Sequence, residues 1–156
     1  MTSMPSSRPN RALRALARIA APLLCAWLPL AGCQPIDRGG DLNRRLELAL
    51  SARQRAAPVE IRGECYSACA LKLASGKGVC VSPNAVVGVH EVRNIGSRSY
   101  ADGMRDDFAT GFFAALLPKC VEDLFRSRHA FDSGAITALS GRDILAACPQ
   151  LVRCPG

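Results

Sequence analysis

The sequence predicts an α/β fold with a small, mostly parallel sheet. Three observations lead there. Apolar runs of strand length, Val59-Glu60-Ile61, Val79 to Ser82 and Val86 to Val89, alternate with stretches of helical period. Alternation of this kind points to βαβ crossovers. The 156 residues are 49% apolar and 21% charged, which fits one packed domain and excludes disordered, collagen-like and coiled-coil chains.

The elements follow in order. Pro35 to Arg38 is a short extended stretch, and Gly39-Gly40 is a sharp backbone signal. Asp41 caps a helix to about Gln54, with Leu42, Leu46, Ala49 and Leu50 on one face and Arg44, Arg45 and Glu47 turned away. Gly63-Glu64-Cys65-Tyr66 reads as a turn. Ser67 to Ala74 is a short helix stopped by Gly76 and Gly78. Pro83-Asn84 is a turn before the strand that delivers His90, and Glu91 to Ser99 is a polar loop. Tyr100 to about Leu117 reads as helix, with Phe108, Phe112, Ala115 and Leu116 on one side and the Phe108, Phe112 and Phe113 stripe as core. Pro118 restarts the helix, and Val121, Leu124 and Phe125 continue the stripe. Ser140-Gly141-Arg142-Asp143 is a capping box before Ile144 to Cys148.

The first 32 residues read as an address. Arg8, Arg11, Arg14 and Arg18 form a basic region with no acid, followed by a 12-residue apolar run from Ile19 to Leu30. That run falls short of the roughly 20 residues a spanning helix needs and fits a secretory signal. Leu30-Ala31-Gly32-Cys33 resembles the lipobox of bacterial lipoproteins, which makes Cys33 the expected lipidation site and residues 33–156 the mature domain. Gln34 after the cysteine points to the outer membrane. The expectation is an envelope protein held to the membrane by a lipid anchor and facing the periplasm. The signal carries four of the seven net positive charges. With no basic-aromatic platform besides, nucleic acid is not an expected partner.

Six cysteines remain outside the signal and the lipid site: Cys65, Cys69, Cys80, Cys120, Cys148 and Cys154. An even count in an exported chain suggests disulfides, and their pairing stays open. Metal binding is the alternative. Cys65-x3-Cys69 and Cys148-x5-Cys154 lack zinc-ribbon spacing, so no metal is expected. His129, beside Arg126 and Arg128, reads as a solvated charge at a helix end.

Three local features carry chemistry. Ser67 sits where the chain enters a helix after an extended segment. His90 ends a strand 23 residues later, within reach of a neighbouring helix start. Such a pair can work as nucleophile and general base. Gly39-Gly40 lets backbone amides turn toward a ligand, as an oxyanion hole requires. Taken singly, each favours the plainer reading: Ser67 as a helix cap, His90 as a hydrogen-bonded strand end and the glycines as a plain turn.

In order and spacing these motifs resemble the Clp protease proteolytic subunit and its periplasmic relatives, within the ClpP/crotonase fold. The resemblance covers Ile36 to His90 and continues more faintly to Val152. Asp37-Arg38-Gly39-Gly40 is similar to the family's Ser-Pro-Gly-Gly loop. Gly63-Glu64-Cys65-Tyr66-Ser67-Ala68-Cys69 stands where the family has its nucleophile elbow, in the Cys-x-Ser-Ala-Cys form of the periplasmic relatives. Val79 to Ala85 followed by Val89-His90 resembles the stretch ending in the catalytic histidine. The resemblance implies Ser67 as nucleophile, His90 as base, and an oxyanion hole formed by Gly39, Gly40 and the Ala68 amide. It also implies a third residue, an acid. Its place falls near Ile136, and the nearest upstream acid is Asp132, with Glu91 as another source. The fold is shortened at its N-terminal side relative to the family.

Three functions follow as expectations. The first is a serine hydrolase for peptide or acyl bonds that needs no cofactor. The second is a non-catalytic lipoprotein using the same fold as a binding or scaffolding module. The third is a crotonase-like acyl-CoA enzyme, which export disfavours because acyl-CoA is cytoplasmic. Assembly into homo-oligomers is left open by all three.

Overall fold

The computed structural model describes residues 35–94 and 103–156. The segment 1–32, the Cys33 lipid site and Tyr100 lie outside the described residues. Chain order is β1 (Ile36–Asp37), α1 (Leu42–Gln54), β2 (Val59–Ile61), β3 (Glu64–Tyr66), a 3-10 helix (Ser67–Ser75), β4 (Val79–Val81), β5 (Val86–Val89), β6 (Arg93–Asn94), β7 (Met104–Arg105), α2 (Asp107–Leu116), α3 (Lys119–Arg126), β8 (Thr137–Ser140), α4 (Gly141–Ala147) and β9 (Val152–Arg153). The protein is α/β with small, mostly parallel sheets, as the alternation predicts.

The first five strands alternate between two sheets, as do β8 and β9. One sheet runs β1-β3-β5-β8, with β8 antiparallel to the rest; the other runs β2-β4-β9, all parallel. A two-stranded ribbon joins β6 and β7. The strands are only two to four residues long; the central β4 and β5 are mostly buried, so they read as short apolar runs. Alternation along β3 turns Cys65 into the core. This corrects the expected turn at 63–66: three residues flanked by a glycine and a polar side chain carry too little period to show as a strand.

Asp41 caps α1 by accepting the Arg44 N–H at 2.8 Å, a contact that stabilises a helix by about 1 kcal/mol. The buried face of α1 passes through Ala49 and Ala52 and leaves Leu50 45% exposed. Small residues are needed there because α1 lies against the 3-10 helix. The expected stripe is corrected at Leu50 alone, since Ala49 is buried and Leu42 and Leu46 pack against the core. The core is completed by the fully buried Leu71, Val81, Val87, Val89, Phe125 and Ile144, with Phe113 and Phe125 each meeting Phe131 edge-on at 6.2 and 6.3 Å.

The helix expected from Tyr100 begins only at Asp107. Met104–Arg105 instead pairs with Arg93–Asn94, and Asp106 caps α2 by accepting the Ala109 N–H at 2.8 Å. Thr110, Phe113 and Ala114 form its buried face. Phe108 and Phe112 stand 85% and 44% exposed, so of the expected aromatic stripe only Phe113 is core. Two strands, β8 and β9, arise where no strand was expected. Their pairing is long-range, and Thr137 to Ser140 has no strand period of its own.

All six predicted cysteines pair: Cys65–Cys69, Cys80–Cys154 and Cys120–Cys148. None is left as a thiolate ligand. Among the described residues no helix is long and apolar enough to cross a membrane.

Candidate active site

The C-terminal ends of β1, β3 and β5 lie side by side. β1 pairs with β3 so that Asp37 is level with Cys65, and β3 pairs with β5 so that Tyr66 is level with Gly88. Carried past the strand ends, these registers bring Gly39 beside Ser67 and set His90 one residue beyond Ser67's partner Val89. The expected nucleophile, base and glycine loop therefore leave one sheet at one edge, where open α/β sheets bind ligands.

Ser67 is not a helix cap. Tyr66 occupies the cap position with extended backbone, no side chain caps the helix, and Ser67 begins it with φ +57°. Left-handed backbone is costly for a serine, about 1 kcal/mol or more, so the packing around it must impose it. Two contacts do so. The Cys65–Cys69 disulfide spans the elbow, and Gly39 presses against it. A Cβ on Gly39 would fall 2.7 Å from the Ala68 nitrogen, 2.7 Å from the Tyr66 oxygen and 2.9 Å from the Ser67 Cβ, and the φ of +84° independently demands glycine.

The glycine loop is braced from α1. The Asp37 carboxylate accepts the Gly39 N–H at 3.0 Å and pairs with Arg45 at 2.6 Å and with Lys72 Nζ at 3.0 Å. Arg45 Nε also donates to the Gly39 carbonyl at 2.8 Å. Burial works to raise the Asp37 pKa, but the Gly39 N–H and the charges of Lys72 and Arg45 outweigh it and hold the group below its usual range. Because the Gly39 amide is committed to Asp37, this corrects its expected share in an oxyanion hole. What Gly39 contributes is its lack of a side chain; of the three expected amides, those of Gly40 and Ala68 are not taken by Asp37. Gly40 has open space around it and lines a shallow depression of about 530 Å³ with Ile36, Asp37, Arg38, Gly39 and Arg45.

His90 is half-buried, with Nδ1 2.5 Å from the Glu91 carbonyl oxygen. A carbonyl only accepts, so this contact assigns a proton to Nδ1, which in the neutral ring leaves the lone pair on Nε2. That is the tautomer a general base needs. The backbone beyond His90 is tied down. The Glu91 N–H donates to the Ser133 carbonyl at 3.0 Å, and the buried Glu91 carboxylate meets Arg93 at 2.6 Å and Arg105 at 3.2 Å. Arg105 goes on to the Asp132 carbonyl at 3.0 Å.

Both expected acids have partners other than His90. The Asp132 carboxylate pairs at 2.9 Å with His129 on the surface, and Glu91 answers to two arginines. His129 is thus not merely a solvated charge. Thr137 pairs with Val89, so one more step of the register sets Ile136 opposite His90. Its Cγ2 would lie 2.6 Å from a Cβ on Gly88. An apolar side chain stands where the family resemblance puts its acid.

Sequence reasoning missed the Asp37–Arg45–Lys72 brace, because Arg45 falls on the polar face of α1 and reads as solvated. The signal available was an acid two residues before the glycine pair. The buried cluster of Glu91 with Arg93 and Arg105 was missed for a similar reason, since charges in a polar segment do not announce burial. Compared with protein-family models, with curated proteins and with solved structures, the chain finds no match.

Proposed function

We propose that this chain is a serine hydrolase of ClpP-like type acting on peptide or acyl bonds. The observation that carries the reading is the left-handed Ser67 at the end of β3, wedged by Gly39 and spanned by Cys65–Cys69. Ala56 and His129 are also left-handed, but Ser67 alone of the three is a half-buried hydroxyl at a sheet edge, and strain at such a group points to function. In this reading Ser67 Oγ attacks the carbonyl carbon and its proton passes to His90 Nε2. The Gly40 and Ala68 N–H groups hold the developing oxyanion. The tetrahedral centre collapses as the imidazolium returns the proton to the leaving group. Water then repeats the sequence to free the acid and regenerate Ser67. The reading calls for no metal or organic cofactor. The lipobox at Leu30 to Cys33 and the three disulfides support anchorage in the envelope, facing an oxidising compartment.

The test is hydrolysis of p-nitrophenyl esters and an unstructured protein substrate by the disulfide-intact chain. The reading predicts turnover that vanishes in Ser67→Ala and in His90→Ala. Turnover that survives Ser67→Ala, or its absence in the folded wild type, overturns it. Fatty-acid labelling of the expressed chain, lost in Cys33→Ala, tests the anchor separately.

One observation favours a second reading, a catalytically silent binding module. Asp132 pairs with His129, Glu91 with Arg93 and Arg105, and an isoleucine, Ile136, stands one step beyond the Val89–Thr137 pair. A bound partner that co-purifies equally well with wild type, Ser67→Ala and His90→Ala supports the module; hydrolysis dependent on both residues rejects it.

A further inference from the structure

The amide of Gly40 is aimed by a side chain six residues away from Gly39. In a trans peptide the carbonyl of one residue and the N–H of the next point in opposite directions. Arg45 Nε takes the Gly39 carbonyl at 2.8 Å, so the Gly40 N–H points away from Arg45. Gly40 at φ +99° meets nothing within 4 Å of a hypothetical Cβ and lines the depression beside the elbow. The guanidinium is itself fixed. Its Nη1 and Nη2 donate to the two oxygens of Asp37 at 3.0 and 2.6 Å, and Lys72 pins the same carboxylate from the 3-10 helix. Asp37 closes the arrangement by taking the Gly39 N–H at 3.0 Å. Both polar groups of Gly39 are thus engaged, one by each half of an ion pair only 22–26% exposed.

We propose that Arg45 is a positioning residue for the reaction: held by Asp37, it draws the Gly39 carbonyl toward α1 and thereby turns the Gly40 N–H the opposite way, free to meet the acyl oxygen. The catalytic consequence rests on the hydrolase reading; the orientation of the loop does not. Two free glycines would sample both peptide orientations, and only one presents a donor to an oxyanion. Arginine suits the task because one rigid fork serves a carboxylate and a carbonyl together, which a lysine ammonium cannot reproduce.

The experiment compares the disulfide-intact wild type with Arg45→Met, Arg45→Lys and Asp37→Asn. It reads kcat and KM on p-nitrophenyl esters and the amide ¹⁵N resonance of Gly40, which responds to the hydrogen bond its preceding carbonyl accepts. Arg45→Met is expected to lower kcat by about 10²-fold, the scale of losing one oxyanion donor, with KM changed by less than about threefold. Its Gly40 resonance moves beyond the spread of residues that do not touch Arg45, and Arg45→Lys recovers only part of each change. Should Arg45→Met fail to fold, Asp37→Asn gives the same split at smaller size, since it removes the charge that fixes Arg45. An active wild type whose kcat is unchanged in these variants overturns the proposal and leaves the hydrolase reading standing. An inactive wild type ends the hydrolase reading, and the Gly40 resonance then decides the proposal: movement in Arg45→Met upholds the aimed loop, and an unmoved resonance overturns it.

Discussion

Cys65 and Cys69 are joined across Ser67, so the residue expected to react is the middle one of a five-residue covalent ring. The other two disulfides close far longer loops, with sequence separations of 28 and 74. Loop-closure entropy assigns about 2 kcal/mol to the elbow bridge and about 3.5–4.5 kcal/mol to the others. The smallest contributor to stability is the one that constrains the site.

The Cys65→Ala, Cys69→Ala double variant should therefore lose about 2 kcal/mol by denaturant titration, yet lose most of its esterase turnover. Cys80→Ala, Cys154→Ala should lose more stability and, while folded, keep more activity. The reverse ranking in activity would show that the bridge is a staple and nothing else.

On the hydrolase reading, Ser67 keeps its left-handed backbone for the sake of its hydroxyl. Ser67→Gly and Ser67→Ala both remove that hydroxyl, but only glycine accepts φ +57° without penalty. Ser67→Gly should be more stable than Ser67→Ala by about 1 kcal/mol in urea unfolding, and both should be inactive. Equal stability would mean that the left-handed backbone costs the fold nothing.

One step beyond the Val89–Thr137 pair, Ile136 stands where the family resemblance expects an acid. Loss of that acid in a serine-protease triad costs about 10⁴ in rate, so an added carboxylate should be visible. Ile136→Asp is expected to raise kcat by about tenfold or more and to shift the acidic limb of the pH–rate profile upward, because a carboxylate stabilises the imidazolium. A profile unchanged in height and position would place position 136 out of reach of the ring.

Asp37 links the glycine loop to pH. Its pKa is lower folded than unfolded, because the Gly39 N–H, Lys72 and Arg45 outweigh burial. The protonated form is thus disfavoured by folding, and unfolding takes up protons as pH falls. The contribution is fully present above the ordinary aspartate value of about 3.9 and is lost as pH drops through the lower folded value. Asp37→Asn should accordingly be less stable than wild type at neutral pH, with the gap closing below about pH 3.9. A gap that stays constant down to acid pH would remove the charge from the account.

Much of the fold was legible because its signals are local. Asp41, Pro118 and Ser140 mark helix starts by side-chain chemistry, and Val86 to Val89 is a strand by composition alone. β3, β8 and β9 were not legible, since two to four residues become a strand only through distant partners. At the site, Ser67, His90 and Gly39-Gly40 stood out by type and order. What surrounds them did not. Arg45 bonds Gly39 through a helix face that looks solvated, and Asp132 turns to His129 because a tight turn brings those two together.

The central claim is that Ser67 is an activated nucleophile served by His90. The most direct measurement is reaction of the full, disulfide-intact chain with a fluorophosphonate, with the adduct mapped by mass spectrometry. The account predicts one adduct, on Ser67, formed at least about 10²-fold more slowly in His90→Ala. A folded chain that takes up no probe, or takes it up on another residue, would contradict it.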